Sequence, residues 1–172
     1  MDETLQGRPS RKDVEIRYTE PGDAPYLKQW LLEPGILSWF PMYDEVEIED
    51  AVWRWIAFSR YKCSLTVVKD GIPCGIATLY LQPYRKISHQ CEFGIIVGPA
   101  YRNQGIGGYL LNSLLHFAKE QFDIELIHLQ VYAENPAIRL YKRFGFREFG
   151  RQERWLKEDH GYVARIFMER YL

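Results

Sequence analysis

The chain has 172 residues, of which 47% are hydrophobic and 26% charged. A folded chain of that length buries roughly 70% of the surface its unfolded form exposes, enough for one real core. Lys and Arg number 22 against 23 Asp and Glu, and the resulting net charge of −1 excludes a broad basic footprint for duplex nucleic acid.

Residues 1–13 mix charge, Gly, Pro and Ser without periodicity and are expected as a flexible N-terminal lead-in to a single domain over 14–172. The polar start lacks the apolar core of a secretory signal, and no stretch reaches the roughly 20 apolar residues that span a bilayer, so no membrane partner is expected. Cys63, Cys74 and Cys91 form no CxxC pair and are odd in number, the pattern of reduced thiols in a cytoplasmic protein.

Residues 14–19 alternate with period two and predict a first strand. Pro21-Gly22-Asp23 then reads as a turn, with Asp23 capping a helix to about Leu32 that Pro34-Gly35 ends. A second helix fits 44–61: Asp44 with Glu47 resembles a capping box, and Val52, Trp55, Ile56 and Ser59 form an inward stripe. Three strands follow at 64–69, 75–81 and 88–97, the first two joined through Asp70-Gly71, a strong hairpin signal.

Beyond Gly98-Pro99 the period changes, and Leu110, Leu111, Leu114, Leu115 and Ala118 mark a helix with a buried face. Ile127, Leu129 and Val131 alternate with polar neighbours as a strand, Pro136 opens a short helix over 137–144, and Gly145 ends it. Two late strands, about 146–156 and 162–170, flank a turn at 158–161. The order predicts a mixed α/β sheet with helices packed on it.

The sharpest chemical feature is Arg102-Asn103-Gln104-Gly105-Ile106-Gly107-Gly108, placed between a strand and a helix. A glycine-rich turn there leaves backbone N–H groups pointing outward at the positive end of the helix dipole, an anion cradle suited to pyrophosphate. An ordinary strand-to-helix turn is the alternative. A dinucleotide fingerprint fits less well, because Leu110 stands where its third glycine belongs, and no Gly-Lys-Ser/Thr is present for a P-loop.

Some thirty residues on comes Asn135-Pro-Ala-Ile-Arg-Leu-Tyr141-Lys-Arg-Phe-Gly145-Phe146. With Arg102-x-x-Gly105-x-Gly107 ahead of it, the chain resembles the GNAT superfamily of N-acetyltransferases over roughly 14–170. The resemblance implies the GNAT fold, a mostly antiparallel central sheet with helices on both faces, and acetyl-CoA as co-substrate without a metal. It implies that the backbone of Ile96 or Val97 donates to the thioester oxygen, and that Val97 with Arg102, Asn103, Gln104, Gly105, Ile106, Gly107 and Gly108 holds the pantetheine arm and pyrophosphate. Asn135 would contact the cofactor beyond the loop. Tyr141 would give a proton to the departing sulfur; a core-filling aromatic is the other reading of this residue.

A substrate amine is mostly ammonium at neutral pH, so direct transfer needs a proton acceptor, and Glu92, on the strand leading to the loop, is the candidate base. A salt-bridged strand acid, or a base made of water, is the alternative. The C-terminal run Gly150…Trp155…Gly161-Tyr162-x-Ala164…Met168 is similar to the branch holding spermidine and ribosomal-protein acetyltransferases, although that branch often has Asp at the position of Ala164.

The acceptor implied is a small amine or polyamine, or a protein N-terminus. Five acids within 44–50, beside Trp39, Phe40 and Tyr43, suit a polycation or simply a capped helix start. A homodimer through an exposed late strand is compatible with the family. His89, His116, His128 and His160 show no metal-ligand spacing. A non-catalytic module that senses acyl-CoA with the same fold is the rival reading.

Overall fold

The computed structural model describes residues 12–159 and 161–172, so most of the expected lead-in, and His160, lie outside the described residues. In chain order the elements are β1 (Glu15–Tyr18), α1 (Ala24–Leu31), α2 (Glu45–Ala57), β2 (Ser64–Lys69), β3 (Ile72–Leu81), β4 (Gln90–Val97), α3 (Ile106–Phe122), β5 (Leu126–Tyr132), α4 (Ala137–Arg143), β6 (Arg147–Glu158) and β7 (Gly161–Tyr171). The seven strands form one sheet in the order β1-β2-β3-β4-β5-β7-β6. Every neighbouring pair is antiparallel except β4–β5. This is the mixed α/β architecture expected from the pattern.

Local signals explain the boundaries. Asp70 and Gly71 both take positive φ, 51° and 79°, as a two-residue hairpin turn demands. β3 begins three residues earlier than expected, and Pro73 is carried beside a bulge at Val67/Val68 in the partner strand. Asp44 accepts from the Glu47 amide at 2.9 Å to cap α2, whereas the Glu47 carboxylate reaches back to the Tyr43 amide at 2.7 Å, one residue before the usual box partner.

Alternation along the strands divides the core. Leu65, Val67, Ala77, Leu79, Cys91, Phe93, Leu129 and Met168 face α3 and α4, while Ile76 and Ile96 face α1 and α2 with Leu27, Trp30 and Trp55. The α1/α2 side carries a buried polar seam. Asp23, 2% exposed, takes both guanidinium nitrogens of Arg17 at 2.8 and 2.6 Å and the Thr66 hydroxyl at 2.8 Å. Thr66 continues to Thr19, Thr19 to Ser64, and Ser64 to Thr78, which accepts from Trp55 Nε1 at 2.7 Å. These bonds fix α1 and α2 over the middle of the sheet.

Candidate active site

Hydrogen-bond register opens a gap at the sheet's centre. β4 and β5 pair only over Gln90–Leu126, Cys91–Ile127 and Glu92–His128. Beyond that point β4 stays paired to β3 as far as Val97, and β5 to β7 as far as Tyr132. Their C-terminal halves therefore part from each other, leaving a passage between the two faces at the carboxyl ends of parallel strands, the position where open α/β sheets bind ligands.

Backbone direction decides which amide serves that passage. Gly98 N–H donates to Cys74 O at 2.9 Å, and the β3–β4 register sets Ile96 opposite Ile76 two residues earlier. In an antiparallel ladder such pairs alternate, so the Ile96 polar groups point to β3 and those of Val97 and Ile95 point into the gap. Of the two candidate amides, that of Val97 is the one directed into the gap, while the Ile96 side chain packs with the α1/α2 core. Trp30 closes over the next residue: a Cβ on Gly98 would come within 2.7 Å of its Nε1.

The loop after β4 has the form its glycines predicted. Asn103 and Gly105 both adopt left-handed φ, 58° and 78°, and Gly105 is the N-cap of α3 without a side-chain cap. The first intrahelical bond runs from Tyr109 N to Gly105 O at 3.0 Å, so the amides of Gly105, Ile106, Gly107 and Gly108 are the four orphan donors of the helix. A Cβ on Gly107 would sit 3.6 Å from Val97 Cγ2, so this cradle lies directly against the end of β4. The Arg102 amide bonds Pro99 O at 3.4 Å, and its Nε donates to Val97 O at 3.0 Å. Gln104 braces the loop by donating to Ala100 O at 2.8 Å.

Tyr141 lies on α4 and is 7% exposed, packed edge-on against Phe93 and Phe146 at centroid distances of 6.0 and 5.9 Å. Among the described residues no hydrogen bond reaches its hydroxyl, and burial holds the phenol well above its ordinary pKa, so it stays a proton donor. Asn135 acts locally: its Oδ1 accepts from Ala137 N at 2.8 Å and fixes the entry to α4, leaving only its Nδ2 to meet a cofactor.

Glu92 stands on the opposite face from Tyr141, at the last β4–β5 pair before the gap. Burial pushes its carboxyl pKa up, against opposing effects from the Gln130 hydrogen bond and the Arg165 charge. Gln130 Nε2 donates to Glu92 Oε2 at 3.0 Å, and Gln130 Oε1 accepts from Arg165 Nη1. Arg165 also donates to Gln152 at 3.1 Å and is stacked 3.3 Å above the Trp155 ring and 4.6 Å from Phe167. Sequence reasoning missed Gln130 and Arg165, because only the β4–β5–β7 register brings them beside Glu92.

The acidic run has local employment. Glu45 and Glu49 both pair with Lys28, at 3.0 and 2.7 Å, Asp50 pairs with Arg54 at 2.7 Å, and Asp44 and Glu47 hold the start of α2. A capped helix start accounts for it. The three cysteines are free and buried, with burial pushing the Cys63 thiol to about 11 and the Cys91 thiol to about 12. Among the described residues, no group of three or more metal-ligating side chains forms, and no helix is long and apolar enough to cross a membrane.

The seven-stranded sheet and its helices match the fold that the resemblance implies, and comparison with known proteins agrees. The L-amino acid N-acetyltransferase AaaT of Escherichia coli (strain K12) is 29% identical over 163 residues, which is 92% of this chain and 98% of that protein. An N-alpha-acetyltransferase of Sulfurisphaera tokodaii is 44% identical over 92 residues, 53% of this chain and 44% of its own length. A GCN5-related N-acetyltransferase from Kribbella flavida shares the fold with a TM-score of 0.76 at 24% identity, covering 95% of this chain and 100% of that one. The yncA putative acetyltransferase from Salmonella typhimurium, solved with its cofactor acetyl-CoA, gives 0.76 at 18% identity, covering 94% and 95%. The family model described as acetyltransferase (GNAT) matches residues 25–146, from α1 through α4, and the chain belongs to that family of N-acetyltransferases.

Proposed function

We propose that the protein transfers the acetyl group of acetyl-CoA directly to a primary amine within a ternary complex. The observation that carries this reading is the opening between β4 and β5, with Glu92 on one face of the sheet and Tyr141 on the other. The orphan amides of Gly105, Ile106, Gly107 and Gly108, at the positive end of α3, fit a pyrophosphate. The Val97 N–H, directed into the gap, fits the acyl end of the thioester. Bound there, acetyl-CoA supplies an activated acetyl group as a thioester, and transfer forms the C–N bond as the C–S bond breaks.

The side chains then divide the proton work. Glu92 takes the proton from the acceptor ammonium, since only the neutral amine attacks. The Val97 N–H donates to the acyl oxygen as negative charge grows on it, a fixed dipole that needs no reorganisation. Tyr141 gives its proton to the departing sulfur from the α3/α4 face. Asn135 positions Tyr141 by fixing the turn into α4 through the Ala137 amide, and Arg102, by holding the Val97 carbonyl, orients the strand end.

The relative aligned over most of the chain is named for L-amino acids, and one matched over half is named N-alpha-acetyltransferase. Both names describe an amine on an α-carbon, and that is the acceptor class proposed, in a cytoplasmic setting. The test is free-thiol release from acetyl-CoA with amino acids, short peptides and polyamines. Release with the first or second class supports the reading. Binding of acetyl-CoA without release from any amine would favour a sensing module.

A further inference from the structure

Among the described residues, two buried polar atoms on the same face as Glu92 have no hydrogen-bond partner: the Tyr132 hydroxyl and Arg165 Nε. Tyr132 is 6% exposed and stands directly opposite Arg165 in the β5–β7 register, so the two side chains lie side by side. Native proteins keep few such orphans unless something else completes the bond. Both are donors. Burial pushes the Tyr132 phenol up to about 12, so it is neutral and keeps its proton, and a guanidinium has only N–H to offer.

Cation–π contacts to Trp155 and Phe167 hold the Arg165 guanidinium in place beside Gln130 and Tyr132. One amide separates this cation from an anion, because Gln130 bonds Arg165 at its oxygen and Glu92 at its nitrogen. Gln130 is exposed, so a ligand displaces that bridge without opening the core. The N–Cα–C unit of an amino acid has a reach similar to a side-chain amide and carries its charges in the complementary sense. A polyamine would meet the guanidinium with a like charge, and a peptide N-terminus has no carboxylate at this distance.

We infer that the acceptor is a free amino acid bound as its zwitterion, with the α-carboxylate on Arg165 and the Tyr132 hydroxyl and the amine toward Glu92. This rests on the acetyl-transfer reading above and narrows its acceptor.

The experiment compares L-leucine, L-phenylalanine and L-glutamate, each against its α-carboxamide, by free-thiol release from acetyl-CoA. Wild-type protein is expected to favour the acid over the amide by at least about tenfold in kcat/KM, mostly through KM, as a charge-assisted bond to a fixed cation implies. Arg165→Met is expected to bring that ratio close to one, with the affinity for acetyl-CoA unchanged. Tyr132→Phe, which keeps the ring and removes an unbonded hydroxyl, is expected to narrow the ratio without lowering the melting temperature. If Arg165→Met fails to fold, the wild-type pairs and Tyr132→Phe decide alone. Equal use of acid and amide by wild type, or release with short peptides alone, overturns the carboxylate site only, whereas no thiol release with any pair, short peptide or polyamine overturns acetyl transfer itself.

Discussion

Replacing Tyr141 by Phe separates chemistry from packing. The ring keeps its edge-on contacts to Phe93 at 6.0 Å and Phe146 at 5.9 Å, so the buried apolar area is unchanged. The hydroxyl makes no hydrogen bond among the described residues, so its removal strands no partner. Stability should therefore change by less than about 1 kcal/mol, a shift of no more than about 4 °C for a chain of this size. Activity should respond quite differently. A positioned acid contributes about 10²–10⁴-fold, and kcat is expected to fall by roughly a hundredfold or more, with the Kd for acetyl-CoA little changed. Thiol release at saturating acetyl-CoA, paired with a thermal melt, reads both effects. A kcat within threefold of wild type would refute Tyr141 as the acid, and a melt lowered by many degrees would return it to a core-filling role.

Glu92→Gln should remove the acidic limb of the pH–rate profile. Burial raises the Glu92 pKa in the folded chain, so wild-type activity is lost as pH falls through a value above the usual carboxylate range, and the variant should be slow and flat across that window. The same raised pKa makes ionised Glu92 a cost that appears as pH rises through its folded value, so the variant is expected to melt at or above the wild-type temperature at pH 7. An unchanged pH profile would remove Glu92 from the mechanism. Asp23→Ala should cost about 3–5 kcal/mol, because it leaves Arg17 without its carboxylate partner in a largely buried seam, although Thr66 keeps its bond to Thr19. For Asp23, burial raises the pKa, but the Arg17, Glu20 amide and Thr66 bonds outweigh it and hold the carboxyl below its usual range. Its stabilisation is thus full at neutral pH and lost as pH falls below roughly 4, which a melt series in acid would show by the variant and wild type converging.

The elements were legible because each obeys a local rule. Asp70-Gly71 supplies two positive φ values, Asp44 caps α2, and the stripe from Leu110 to Ala118 has helical spacing. The glycine loop and Tyr141 were legible through their resemblance to a family. What stayed hidden depends on register between strands distant in sequence. Nothing in residues 90–97 or 126–132 reveals that pairing stops after Glu92–His128, and only that interruption creates the gap. The choice of Val97 over Ile96 follows from the direction of the Gly98–Cys74 bond, which no residue type encodes. Arg165 and Tyr132 are 33 positions apart and meet only because β7 inserts between β5 and β6. Of the two readings offered for the five acids of 44–50, the capped helix start is the one the ion pairs to Lys28 and Arg54 accompany.

Calorimetric titration of acetyl-CoA into wild type and Gly107→Asp reads the cofactor site itself, since the proposed transfer requires an anion seated on the orphan amides of α3. A Cβ at this position meets Val97 and Leu140 only at 3.6 and 3.8 Å, so the side chain fits without forcing the fold. An acid in the first turn also favours the helix dipole, while setting a negative charge where the pyrophosphate would lie. The expected result is one site per chain in wild type and affinity at least about thirtyfold weaker in the variant, at an unchanged or higher melting temperature. Equal binding by both proteins, or none by wild type, would contradict the account.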